Sequence, residues 1–155
     1  MGGTYLAKNL SDHLRKAEDY CAEHKLQLTP VRRKVLEVLL ASGRALGAYD
    51  ILKHLDEAGF KSQPPVAYRA LDFLQAHGFV HKVARLNAFV ACDHQGKNHE
   101  PMFMICKNCD LVVEADGGML RTSLGSATDQ SGFHVEETFV ELKGLCTACV
   151  EEVAS

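Results

Sequence analysis

The stretch Pro101-Met102-Phe103-Met104-Ile105-Cys106-Lys107-Asn108-Cys109-Asp110-Leu111-Val112-Val113-Glu114 reads as two apolar strands joined by a tight turn with a cysteine at each end. A second pair, Cys146-Thr147-Ala148-Cys149, repeats the Cys-x-x-Cys spacing after an interval of 36 residues. Each pair sets two thiolates on one turn, facing a single ion. Two pairs complete the tetrahedral S4 shell that zinc prefers and leave no position for water. The pattern predicts a closed, structural zinc site at Cys106, Cys109, Cys146 and Cys149, and a last third of the chain built around it.

Outward from that turn the pattern is α+β. Residues 117–130 read as a weak helix with Met119, Leu120, Leu124 and Ala127 apolar, its start frayed by Gly117 and Gly118. Phe133 to Leu142 reads as a longer strand, and Thr147–Val153 as a short closing helix. The core of such a unit is thin, so a bound metal would supply much of its stability.

The chain has 155 residues, 46% of them apolar, enough for one domain or two small ones. No apolar run approaches the roughly 18 residues of a membrane span. The N-terminus, Met1-Gly2-Gly3-Thr4-Tyr5-Leu6, lacks the basic-then-apolar order of a secretory signal. The expectation is a cytoplasmic protein with no membrane partner, in which paired cysteines serve metal or redox chemistry before disulfides. The net charge of −3 conceals a split. Residues 1–85 hold 13 Lys/Arg against 9 Asp/Glu, and residues 86–155 hold 4 against 11. A basic half suits phosphates and an acidic half is repelled by them.

The basic half reads as four helices and a hairpin. Residues 11–24 carry Leu14, Ala17 and Cys21 on one face, with Ser11 as a cap. Thr29-Pro30 opens a second helix with Val31, Val35, Val38 and Leu39 on its apolar side, and Gly43 ends it. A third covers about residues 48–58. The fourth starts at Gln63-Pro64-Pro65, buries Ala67, Leu71 and Leu74, and turns Tyr68, Arg69, Asp72 and Gln75 outward. Residues 79–84 and 88–91 then read as two short strands around Arg85-Leu86-Asn87. Helices followed by such a hairpin make a winged helix-turn-helix. Its last helix would bring Tyr68 and Arg69 to DNA, with Arg32, Arg33 and Lys61 as candidate phosphate contacts.

Further metal-ligating residues gather at the junction: His81, Cys92, Asp93, His94, His99, Glu100 and Glu114. One Cys, two His and one Glu would form a second zinc site, and a metal joining the hairpin, the connector and the last third would suit a sensor. The expected organisation is residues 1–91 as a DNA-binding domain, 92–100 as a connector and 101–155 as the zinc-bearing domain.

Taken together, Leu28-Thr29-Pro30-x-Arg32, Ala48-Tyr49-Asp50, Gln63-Pro64-Pro65-x-x-Tyr68-Arg69-Ala70-Leu71-Asp72-Phe73-Leu74, Gly78-Phe79-Val80-His81-Lys82-Val83 and the two cysteine pairs resemble the ferric uptake regulator family, and within it the zinc-responsive branch. The resemblance implies an N-terminal winged helix on double-stranded operator DNA and a small C-terminal α/β dimerisation domain. It implies a homodimer with two zinc ions per subunit. One is structural, at Cys106, Cys109, Cys146 and Cys149; the other is regulatory, at His81, Cys92, His99 and Glu114. Tyr68 and Arg69 fall on the family's DNA-contacting pair. The function implied is a zinc-dependent repressor of zinc-uptake genes, not an enzyme. An iron- or peroxide-responsive repressor of the same family and a thiol-redox switch are the alternatives. In place of the family's usual Pro-Pro-Thr-Val, this chain has Pro64-Pro65-Val66-Ala67, which removes a hydroxyl that could cap the helix or touch a phosphate. His94 and His134 are left as residues a further metal site could use.

Overall fold

Helix α1 (Leu10–Glu23) buries Leu14, Ala17 and Cys21 along one stripe. Leu10 already lies in the helix, so Ser11, expected as its cap, is a first-turn residue. The computed structural model describes residues 10–61, 63–92, 101–136 and 138–154. The chain divides into two compact units, Met1–Lys97 and Asn98–Ser155.

In the first unit, α2 (Pro30–Ser42) is capped by Thr29, whose hydroxyl accepts from the Arg32 amide at 3.3 Å. It stops at Gly43, in the left-handed region at φ 64° that a residue without Cβ reaches at little cost. Its buried stripe is wider than its sequence spacing alone suggests: Val35, Leu36, Val38, Leu39 and Leu40. Helix α3 (Ala48–Glu57) adds Ala48, Ile51, Leu52 and Leu55, and α4 (Pro64–Ala76) adds Ala67, Ala70, Leu71 and Leu74. One core therefore forms from four helices, closed by Phe79, Val80 and Phe89.

The hairpin is β1 (Val80–Val83) and β2 (Ala88–Ala91), antiparallel, with His81 opposite Val90 and Val83 opposite Ala88. A short 3-10 turn, Ala84–Leu86, and Asn87 in the left-handed region at φ 47° connect them. Leu46, just before α3, adds a one-residue bridge to the other edge of β2 and exchanges two backbone hydrogen bonds with Phe89, of 2.9 and 2.8 Å. Four helices and a hairpin of this order form the winged helix that the sequence predicts.

The second unit holds β3 (Pro101–Cys106), β4 (Val112–Asp116), α5 (Gly118–Ser131), β5 (Val140–Gly144) and α6 (Thr147–Ala154). Its sheet runs β4-β3-β5, antiparallel between β3 and β4 and parallel between β3 and β5. The long strand expected over Phe133–Leu142 is replaced by this shorter, later one. In the parallel ladder Val140 pairs with Met102, so Phe139 would fall opposite Pro101. Proline fixes φ and has no amide to donate, which ends the ladder there.

Side-chain alternation splits the sheet into two faces. Phe103 and Ile105 are buried on one. On the other, Val113, Met104 and Leu142 stand side by side in register and are each more than a third exposed. Helix α5 buries no residue, leaving Leu120 and Leu124 exposed as well.

Candidate metal centres and nucleic-acid interface

The β3–β4 turn presents the first cysteine pair. The Cys106 amide donates to the Leu111 carbonyl at 2.9 Å and the Asp110 amide to the Cys106 carbonyl at 3.0 Å. Asp110 turns the chain back at φ 59°. The Lys107 amide donates to Gly144 at 2.8 Å, tying this turn to the end of β5. From there the chain enters α6, whose first turn carries Cys149; the Val150 amide donates to the Cys146 carbonyl at 2.9 Å. Backbone hydrogen bonds thus bring two sequence-distant knuckles together.

The four sulfurs lie within 4.8 Å of one another, and Cys109 Sγ and Cys146 Sγ are 3.8 Å apart. Four thiolates at about 2.3 Å from a central zinc, in tetrahedral geometry, are themselves about 3.8 Å apart. The donor set therefore fits zinc in size and chemistry. No disulfide joins any of the six cysteines.

The cluster is electrostatically uneven without metal. Backbone hydrogen bonds at Cys146 and Cys109 hold the Cys106 thiol down to about 6, against burial that raises it. Asn108 donates to Cys149 Sγ at 3.3 Å and lowers that thiol; crowding by Cys146, burial and the other two sulfurs outweighs it and pushes Cys149 up to about 12. Cys109 is raised as well: the Leu111 amide lowers it, but the Cys106 sulfur, burial and Cys146 prevail. Cys106 is poised as a thiolate, and Cys109 and Cys149 keep their protons until a cation replaces them.

The residues of the second expected site stand as follows. His81 and Cys92 belong to the first unit, one on β1 and one just past β2, and their ligand atoms lie within 4.8 Å of each other. Cys92 is fully buried and His81 half-buried. Two hydrogen bonds fix Cys92 against the fold: its amide donates to the Phe79 carbonyl, and the Phe79 amide to the Leu74 carbonyl in the last turn of α4, both at 2.9 Å. Glu114 sits half-buried on β4 of the second unit, opposite Phe103 in register. His99 lies outside the described residues, as do His94, Asp93 and Glu100. His134 is exposed.

On α4, Tyr68 and Arg69 are both exposed, with Tyr68 48% accessible. Gln63 precedes the helix and makes no side-chain cap; Val66 offers no hydroxyl in its place. Helix α3 exposes Tyr49 at 84%, an aromatic that helical periodicity does not distinguish from its polar neighbours. The suggested phosphate contacts fare unequally. Arg33 is taken up by Glu18 at 2.7 Å and Glu37 at 3.6 Å, and Arg32 by the fold of its own unit, whereas Lys61 is exposed.

The ferric uptake regulator family model matches residues 23–143. The chain is 38% identical over 139 residues to the zinc uptake regulation protein of Escherichia coli (strain K12), covering 89% of this chain and 81% of that one. It is 26% identical over 136 residues to the peroxide operon regulator of Bacillus subtilis (strain 168), covering 88% of this chain and 92% of the other. Among solved structures, a zinc uptake regulator complexed with zinc and DNA superposes with a TM-score of 0.90 at 37% identity, covering 94% of this chain and 98% of that one.

Proposed function

The chain belongs to the ferric uptake regulator family, and on that premise we propose that it is a zinc-responsive transcriptional repressor: zinc, as co-repressor, promotes binding of a homodimer to the operator DNA of zinc-uptake genes. The observation that carries this reading is the His81–Cys92 pair, mounted on the hairpin that directly follows the helix exposing Tyr68 and Arg69. Imidazole and thiolate together favour zinc over the harder cations that oxygen donors select. The likeness to the E. coli zinc uptake regulation protein, at 38% identity, points the same way; that to the peroxide operon regulator is weaker, at 26%.

Two zinc ions per subunit complete the proposal. One sits in the S4 set and holds the second unit together. The other takes His81, Cys92, His99 and Glu114 as ligands. Since those ligands come from both units, the second ion favours one arrangement of the DNA-binding domains. In that arrangement Tyr68 and Arg69 of two subunits meet successive major-groove half-sites. Taking the DNA-competent state from 1% to 99% needs about 5.5 kcal/mol of preferential zinc binding to it. The second copy of the chain covers the exposed row Val113, Met104 and Leu142 and the apolar side of α5. No helix among the described residues is long and apolar enough to cross a membrane, and the proposed site of action is the cytoplasm.

The test is an anaerobic titration of zinc and ferrous ions against binding of a duplex selected from a random DNA pool by the zinc-loaded protein. Mild chelation should lower zinc from two ions per subunit to one and abolish binding, and zinc alone should restore it. Cys92→Ser should keep one tightly held zinc and lose the zinc response. Binding restored by ferrous ion instead, or independent of metal, overturns the zinc reading.

A further inference from the structure

Arg32 is the third residue of α2, and its amide is the one that Thr29 caps. Its side chain runs back across the fold. One guanidinium nitrogen donates to the Gln27 carbonyl at 2.7 Å, and the guanidinium carbon lies 3.9 Å from the centroid of the Phe73 ring. Phe73 is on α4, one turn after Arg69. Its ring also meets His77 at 4.8 Å, and His77 meets Tyr20 of α1 at 6.2 Å. Arg32 is half-buried, and its guanidinium closes a chain of rings spanning three helices.

We propose that Arg32 is a positioning residue for DNA recognition: it clamps the face of Phe73 to the loop before α2 and so fixes the height and rotation at which α4 presents Tyr68 and Arg69. The inference rests on the repressor reading for the role of α4, but not for the clamp itself. A guanidinium suits the task because it is flat. It covers an aromatic face with its plane and donates to a carbonyl at its edge. A lysine ammonium keeps the charge but has no plane to stack. Arg32 thus differs from a phosphate contact, which would need its donors turned to solvent and would be served almost as well by lysine.

The two roles predict opposite outcomes for three variants: Arg32→Lys, Arg32→Gln and Phe73→Leu. In the zinc-loaded full-length protein without DNA, amide exchange across residues 64–76 should rise about tenfold in each, while α1 keeps its wild-type protection. Unchanged exchange in α4 overturns the clamp, and so does a uniform rise across the first unit, which marks general destabilisation. With the selected duplex, all three should bind about tenfold more weakly at every salt concentration. The slope of log affinity against log salt should stay unchanged, because no phosphate contact is lost. A slope reduced by about one in Arg32→Gln alone, with Arg32→Lys binding like the wild type, assigns Arg32 to a phosphate and overturns the proposal. If the wild type selects no duplex at all, the repressor reading falls, and the exchange measurement still decides the clamp.

Discussion

The first unit closes its core with side chains from four helices and a hairpin, from Leu14 through Phe89. Among the described residues, the second buries only Phe103, Ile105, Cys106 and Cys149 as apolar side chains, and two of these belong to the S4 set. Fully burying an aliphatic or aromatic side chain contributes about 1.5–3 kcal/mol. A structural zinc contributes about 10–16 kcal/mol of apparent folding free energy in small zinc-finger peptides. Phe103 and Ile105 together fall well below that. With zinc in the S4 set as proposed, one unit is stabilised by packing and the other by coordination, and each has its own way to fail.

The sharpest way to break this comparison is Cys106→Ser. It removes the ligand already poised as a thiolate and should unfold the second unit while α1–α4 keep their hydrogen-exchange protection; loss of protection in both units alike would refute the division. The mirror experiment is Leu36→Ala, in the fully buried part of the first core. It should cost about 2–5 kcal/mol of that unit's stability in urea and leave the S4 zinc bound. A gentler probe is Met104→Glu, in the middle of the exposed apolar row. A charge there should convert the dimer to monomer in sedimentation, with both folds and the S4 zinc retained; a dimer that survives assigns the interface elsewhere.

The last test concerns acidity. Cys109 and Cys149 are raised and hold protons at neutral pH, so zinc must displace both. Affinity for the S4 zinc should therefore fall by at least about a hundredfold for each pH unit lost between about pH 8 and 6. Below about 6, the value to which Cys106 is held down, a further proton competes and the fall steepens. Competition with a chelator of known affinity across that range measures it. A slope near zero would mean that the cluster is already fully ionised before metal arrives.

Much of this contrast is legible in the sequence because it rests on local rules. Thr29-Pro30 and Gly43 bracket α2 by capping chemistry, and two Cys-x-x-Cys pairs point to an S4 donor set by their spacing. What escapes depends on partners distant in sequence. Val135 and Phe139 are apolar enough to suggest a strand, yet β5 begins at Val140, where β3 offers its first partner. The bridge from Leu46 to Phe89 is one residue long and leaves no periodic trace. Arg32 reads as a phosphate contact from its charge and position, and only the packing of α4 reveals Phe73 beneath it.

The hairpin that carries His81 and Cys92 also has a kinetic consequence. Cys92 is held through Phe79 to Leu74 by two backbone hydrogen bonds, so this pair has already lost the freedom that ligands on a loose segment would surrender to a metal. An arriving zinc ion meets a ready half-site, which favours fast capture. Two ligands alone give it a short residence time. In the proposed site the off-rate is then set by how soon the remaining ligands close over the ion, and the duration of repression becomes a matter of dwell time rather than of zinc concentration alone.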